Sequence, residues 1–251
     1  MDLTEYRSSS AEQQRAADLL SLMPVKGSNA LDIGARDGYF SLFMAERFAN
    51  VTALDLIKPN IYHPKIQCVK GNAAELQFVD NSFDFIFCAE VLEHIPAPVL
   101  QKVCREIERV SSHKILIGVP YKQDIRAGRT TCYSCGKTNP PYGHVNSFDE
   151  MYITELFQHC KVENVSFVGE SNSRTNWLSV ILMDFAGNPY GTYDQEETCI
   201  HCGRRLVPPP DRSFLQKIAT KCAVWLQKMI GIFAKKRGNW MHVVLYKIDD
   251  A

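Results

Sequence analysis

Two short segments of the chain repeat one pattern of chemistry. Cys132-Tyr133-Ser134-Cys135-Gly136-Lys137 and Cys199-Ile200-His201-Cys202-Gly203-Arg204 both read C-x-x-C-G-[K/R]. Such a knuckle presents two thiolates to one metal ion from a single turn, and its glycine relieves backbone strain. Two knuckles supply four sulfurs, the tetrahedral shell of structural zinc; iron takes the same ligands. Unrelated surface thiols, two disulfides or a redox dithiol are the competing readings, although a redox C-x-x-C normally opens a helix and works alone. A closed four-thiolate shell leaves no position for substrate, so Cys132, Cys135, Cys199 and Cys202 are expected to hold a structural zinc that clips two distant loops together. The remaining cysteines, Cys68, Cys88, Cys104, Cys160 and Cys222, fall on apolar faces and read as core thiols.

A second constellation suits a nucleotide. Asp32-Ile33-Gly34-Ala35-Arg36-Asp37-Gly38 joins a strand-like run to a helical pattern, with glycines where a backbone must turn sharply and approach a ligand closely. The next strand, Val51-Thr52-Ala53-Leu54, ends in Asp55, whose carboxylate can accept both hydroxyls of a ribose. The bland alternative is that Asp32 and Asp55 are polar strand ends. A nicotinamide site would expect G-x-G-x-x-G, which is absent.

These residues need elements to position them. Ser10-Ala11-Glu12-Gln13 reads as a capping box opening a helix through Leu22 that stops at Pro24. Strands are expected at 29–33, 51–55, 66–69, 83–88 and 114–119. Helices are expected over 38–48, with Phe40, Phe43, Met44 and Phe48 on one face, and beyond Pro98, where Val99, Leu100, Val103, Cys104, Ile107 and Val110 recur. This alternation predicts a mostly parallel sheet covered on both faces, with ligands at the carboxyl ends of its strands. Beyond Pro120 the rhythm breaks. Residues 122–146 read as an inserted loop, Ser147-Phe148-Asp149-Glu150 as a capping box for a helix through Cys160, and 162–168 as a strand. A helix covers Trp177 to Phe185, an irregular stretch 188–210, a cationic amphipathic helix about 213–234, and Met241 to Ile248 form a final strand.

The sequence resembles the class I S-adenosylmethionine-dependent methyltransferases over most of residues 25–170. Four segments carry the resemblance: Leu31 to Gly38, Ala53-Leu54-Asp55, Gly71-Asn72-Ala73-Ala74-Glu75-Leu76, and Phe83-Asp84 through Ala89-Glu90-Val91-Leu92-Glu93-His94-Ile95. Arg36 replaces the loop's middle glycine, so its side chain must point outward. Asn72 replaces the usual Asp and keeps an acceptor oxygen without charge. The resemblance implies a Rossmann-like α/β fold with a mostly parallel seven-stranded sheet and an antiparallel last strand. It implies S-adenosylmethionine held by Asp32, Gly34, Ala35, Gly38, Asp55, Leu56, Asn72, Ala73, Ala89 and Glu90. The expected organisation is a cofactor half at 1–121, a first knuckle insertion at 122–146, core helix and strand at 147–170, a second insertion at 171–238, and the last core strand at 239–251.

Asn139-Pro140-Pro141-Tyr142 spells a motif of amino-methylating enzymes but lies after the fifth strand, where it reads as a proline-rich loop. His144 precedes the helix near Ser147, where related enzymes often carry a His-x-x-x-Phe beside the acceptor. It is a candidate base or a loop-positioning residue, and His94 poses the same choice. Methyl transfer needs mainly alignment and desolvation, so a base is not obligatory.

The chain has 251 residues, 45% of them apolar, which excludes a disordered or collagen-like protein. Its 28 basic and 28 acidic side chains cancel. The cancellation is uneven: residues 211–237 hold seven basic side chains and one acid. Met1-Asp2-Leu3-Thr4-Glu5 has no basic or apolar leader character, and no apolar run approaches about 18 residues, so neither a signal peptide nor a spanning helix is expected. A reduced cytoplasmic setting follows as the default. The expected activity is O-methylation of a small-molecule, glycan or lipid-linked acceptor. An RNA methyltransferase gripping its substrate through the knuckles and cationic helix is the alternative, as is a non-catalytic, membrane-recruited binding module. The helix about 213–237 has three readings: peripheral membrane contact, a homodimer face, or its own core.

Overall fold

The computed structural model describes residues 7–171, 175–195 and 197–248; Met1 to Glu5, read above for leader character, lie outside them. The described residues form two compact units. One comprises those up to 121, 148–169 and those from 238; the other comprises 122–147 and 170–237. In chain order the strands are β1 (Gly27–Ile33), β2 (Phe48–Asp55), β3 (Ile66–Lys70), β4 (Phe83–Ala89), β5 (Ser111–Pro120), β6 (Thr130–Thr131), β7 (Thr138–Asn139), β8 (Cys160–Val168) and β9 (Trp240–Lys247). The helices of eight or more residues are α1 (Ser10–Leu22), α2 (Tyr39–Arg47), α3 (Ala97–Val110), α5 (Trp177–Phe185) and α6 (Phe214–Phe233), with the shorter α4 at Glu150–Leu156.

The first unit is a seven-stranded sheet in the order β3-β2-β1-β4-β5-β9-β8. Neighbours among β1 to β5 are parallel, and β9 runs antiparallel to both β5 and β8. The fold is therefore the expected Rossmann-like α/β sheet. Parallel strands need both faces covered, which explains the nearly unbroken apolar run of β4. Phe85 and Phe87 pack with Leu19, Met44 and Val51 on one face; Ile86 and Cys88 pack with Leu100, Val103 and Ile107 on the other. Each such fully buried side chain contributes about 1.5–3 kcal/mol of transfer free energy.

Several local expectations shift. The cap of α1 is Ser9, whose hydroxyl accepts the Glu12 amide, not Ser10. Phe48 does not end a helix: it opens β2 and stacks on Phe85, because the sheet offers its ring a buried neighbour. The helix expected from Ser147 to Cys160 is only α4, capped by Asp149, and Cys160 already belongs to β8. Cys222 is exposed and is not a core thiol, whereas Cys88, Cys104 and Cys160 are buried and Cys68 is half-buried.

In the second unit, β6 and β7 form a small antiparallel hairpin inside the segment expected to be irregular. Helix α5 opens on an Asn176 capping box and is followed by Gly187 at φ +79°, a left-handed stop. Helix α6 opens on a Ser213 capping box and packs along α5, with the Gln216 amide donating to the Phe185 carbonyl at 3.2 Å. The Phe233 side chain, part of the expected apolar stripe, lies outside the described residues. Among the described residues no helix is long and apolar enough to cross a membrane.

Candidate active site and four-cysteine cluster

The turn after β1 is built on three left-handed residues, Gly34 at φ +79°, Arg36 at +49° and Gly38 at +84°. A Cβ at Gly34 would stand 2.3 Å from Val91 Cγ2, so only glycine lets the strand end pass the segment after β4. The amides of Gly34 and Ala35 both donate to the Leu54 carbonyl at 2.8 and 3.1 Å, tying the turn to the end of β2. There Asp55 Oδ2 accepts the Arg36 amide at 2.9 Å. The Arg36 side chain is exposed.

Asp32 is buried and its Oδ2 accepts the Ser41 hydroxyl at 2.5 Å. Burial pushes its carboxyl up to about 7, partly offset by that hydrogen bond, and the nearby Asp55 and Asp37 carboxylates add to the rise. Burial also works against ionisation of Asp37, but Arg7, 2.7 Å away, brings its carboxyl below the usual range.

Asn72 is exposed, and its amide oxygen accepts the Ala74 amide at 2.9 Å, which shapes the turn while leaving one lone pair for a ligand. Helix α3 braces this segment: Glu106 accepts the Leu76 amide, and Arg109 donates to the Leu76 and Phe78 carbonyls and to Asp80. Ala73 is half-buried, whereas Leu56 is exposed beside Asp55.

At the end of β4, Ala89 is half-buried and Glu90 sits at φ +56° with its amide bonded to the Gly118 carbonyl at 2.9 Å. Here lies a polar cluster that sequence reasoning missed. Glu12 and Arg15 on α1 make a bidentate pair at 2.6 and 2.7 Å while almost fully buried, and Arg15 approaches Glu90 at 3.8 Å. On β9, buried His242 bonds Asp18 at 2.6 Å through Nδ1. Three residues apart on a polar-looking helix, Glu12 and Arg15 read as a solvated pair; nothing local marks them for burial. Burial pushes the carboxyls of Glu90 and Glu93 up, and for Glu93 the neighbouring Glu90 adds to it. His94 is held below its ordinary value by burial and by Arg36. His144 belongs to the second unit, is buried, and bonds Gln123 Oε1 at 2.7 Å through Nδ1.

The second unit brings the two knuckles together. The sulfurs of Cys132, Cys135, Cys199 and Cys202 all lie within 4.8 Å of one another, with Cys132–Cys202 at 3.6 Å and Cys135–Cys199 at 3.7 Å. All four are free thiols. Sulfurs about 2.3 Å from one zinc ion stand about 3.8 Å apart, so the cluster matches a tetrahedral shell and excludes disulfides, whose sulfurs are about 2 Å apart. The knuckles are near copies: Gly136 and Gly203 take φ +72° and +70°, and their amides donate to the Cys132 and Cys199 carbonyls at 2.8 Å. Asn139, first residue of the N-P-P-Y tetrapeptide, accepts the Ile200 amide at 2.9 Å and so fastens one knuckle to the other.

A family model described as a methyltransferase domain matches residues 31–114. The ubiquinone biosynthesis O-methyltransferase of Paracidovorax citrulli is 28% identical over 100 residues, 35% of this chain and 42% of that protein. Demethylmenaquinone methyltransferase of Listeria welshimeri is 26% identical over 186 residues, 68% of this chain and 69% of the relative. The chain thus spans less than half the length of the first of these relatives. Among solved structures, the Burkholderia thailandensis 1,6-didemethyltoxoflavin-N1-methyltransferase superposes with a TM-score of 0.55 at 13% identity, covering 98% of this chain and 82% of that one. At that identity the likeness concerns the fold alone.

Proposed function

We propose that this chain, which belongs to the class I S-adenosylmethionine-dependent methyltransferases, transfers a methyl group to an oxygen of a small-molecule, glycan or lipid-linked acceptor. The observation that carries the reading is the junction of the turn after β1 with Asp55. One carboxylate oxygen is engaged by the Arg36 amide, which leaves the other for a ribose. Gly34 and Gly38, at positive φ and with Val91 and Ile61 in the space a side chain would need, fix the shape of the turn that the ligand would meet. Asp32, Ala35, Leu56, Asn72, Ala73, Ala89 and Glu90 complete the proposed cofactor contacts. When bound, S-adenosylmethionine supplies an electrophilic methyl on a sulfonium. The chain's own work is then alignment and exclusion of water. The choice of oxygen draws on a relative named as an O-methyltransferase, and that of a small molecule on relatives named for ubiquinone and demethylmenaquinone.

Two histidines are the candidate bases. Burial and Arg36 favour neutral His94, the form that accepts a proton. In His144 the contact with the Gln123 carbonyl oxygen fits a proton on Nδ1. We assign the four cysteines a structural zinc, on the strength of their spacing and donor set.

Calorimetry with zinc-loaded protein tests the reading. S-adenosylmethionine is expected to bind, and Asp55→Ala to weaken it at least about tenfold, the cost of two lost charge-assisted hydrogen bonds, with little change in Tm. A folded protein that binds no cofactor would defeat it. With a labelled cofactor and a found acceptor, His94→Gln and His144→Gln separate the bases: loss of the acidic limb of the kcat profile marks the one that acts.

A further inference from the structure

Helix α6 exposes the face that a packed helix normally hides. A helix on a globular protein buries its apolar stripe. Here the buried residues are the small Ala219, Thr220 and Ala223, while Phe214, Leu215, Ile218, Trp225, Met229 and Ile232 are exposed. Exposure reaches 77% at Phe214, 61% at Trp225 and 70% at Ile232. At about 100° per residue these six fill one continuous arc of roughly 100°. The adjoining α5 exposes Trp177, Ile181 and Phe185.

The charge beside this arc is all of one sign. Lys217, Lys221 and Lys228 fall along one border, Lys235, Lys236 and Arg237 follow the helix, and no Asp or Glu occurs between Arg212 and Arg237. On that border opens a pocket of about 230 Å³ lined by Tyr190, Thr220, Lys221, Val224, Trp225 and Lys228. Two ammonium groups and a phenol around an indole are donors suited to a phosphate at the edge of an apolar surface.

We propose that α6, with α5 beside it, lies flat on an anionic phospholipid bilayer, its apolar arc in the acyl boundary and Lys221 and Lys228 on a headgroup phosphate. A helix already packed on α5 and lined with lysines is built to lie in the interface and not to cross it. A second copy of this chain fits less well, because a two-fold contact through the arc would set lysine row near lysine row with no acid in the segment to compensate. The proposal rests on this surface alone, so its failure would leave the methyl-transfer reading untouched.

Vesicle flotation of the zinc-loaded full chain tests it, comparing phosphatidylcholine with phosphatidylcholine carrying about 30% phosphatidylglycerol. The protein is expected to float only with the anionic vesicles, to shift its tryptophan emission to the blue on binding, and to be released by about 0.5 M salt. Lys221→Glu with Lys228→Glu should weaken partition roughly tenfold or more, and Ile218→Glu with Met229→Glu should abolish flotation. All four side chains are exposed, and circular dichroism verifies that the variants fold. No flotation at low salt, or flotation indifferent to Ile218→Glu with Met229→Glu, overturns the proposal. So does a dimer dispersed by those substitutions, or binding of inorganic phosphate or single-stranded RNA, when any of these occurs without flotation.

Discussion

Asp32 illustrates how much one side chain's chemistry owes to its surroundings. The loop motif identified it from type and position, but only burial explains a carboxyl pushed up to about 7. A native pKa above the unfolded value of 3.8 means that the folded state holds the proton more tightly. Its contribution to stability is therefore full below about pH 4 and lost as pH rises through about 7. Asp32→Asn keeps an oxygen for the Ser41 hydroxyl and removes the titration. Melting curves from about pH 4 to 8 should flatten in that variant relative to the parent; parallel curves would show that Asp32 does not titrate as described. Arg15 and His242 show the opposite limit. Their partners Glu12 and Asp18 are visible in the sequence, but no spacing rule announces that Glu12, Arg15 and His242 are buried, because burial depends on what packs over them.

The knuckles and helix α6 differ in how far local pattern carries at the scale of elements. A C-x-x-C-G turn is complete within six residues, so the geometry at Gly136 and Gly203 follows from the sequence itself. That two such turns meet depends on the chain between them and on contacts such as Asn139 to Ile200. Purified protein is expected to hold about one zinc per chain; Cys135→Ala or Cys202→Ala should bring that near zero and lower a melting transition by about 10 °C or more, since a metal that binds only the folded state stabilises it by mass action. Cys222→Ala, outside the cluster, is the control and should retain the metal. Zinc content unchanged in Cys135→Ala would reject the site. For α6 the periodicity located the helix within a residue at either end, yet it could not say which way the apolar face turns. Cys222 went astray for the same reason: its position on the apolar stripe was right, and the stripe faces outward.

At the scale of the whole molecule the sheet order makes its own demand. Strand β9, the last in the chain, lies between β5 and β8, so the core closes only when the C-terminal segment arrives. Its Met241, Val243 and Leu245 enter one face of the core and Val244 the other. A chain ended at Gly238 is expected not to fold: it would leave β8 without a strand partner and lose four buried apolar side chains, each worth about 1.5–3 kcal/mol against a typical stability of about 5–15 kcal/mol. Circular dichroism and a melting curve check this; a cooperative transition at the parent temperature would refute it. The amino-acid sequence by itself determined the alternation of strands and helices, the glycine turn, the acid that ends the next strand, and the two knuckles, because each is a pattern complete within a few residues. Tertiary structure decided what depends on distant neighbours: the position of β9, the buried Glu12–Arg15 pair beside Glu90, the meeting of the four sulfurs, and the outward apolar face of α6. The physical reason is that burial belongs to a residue's surroundings, and those are assembled from chain segments that no local spacing relates.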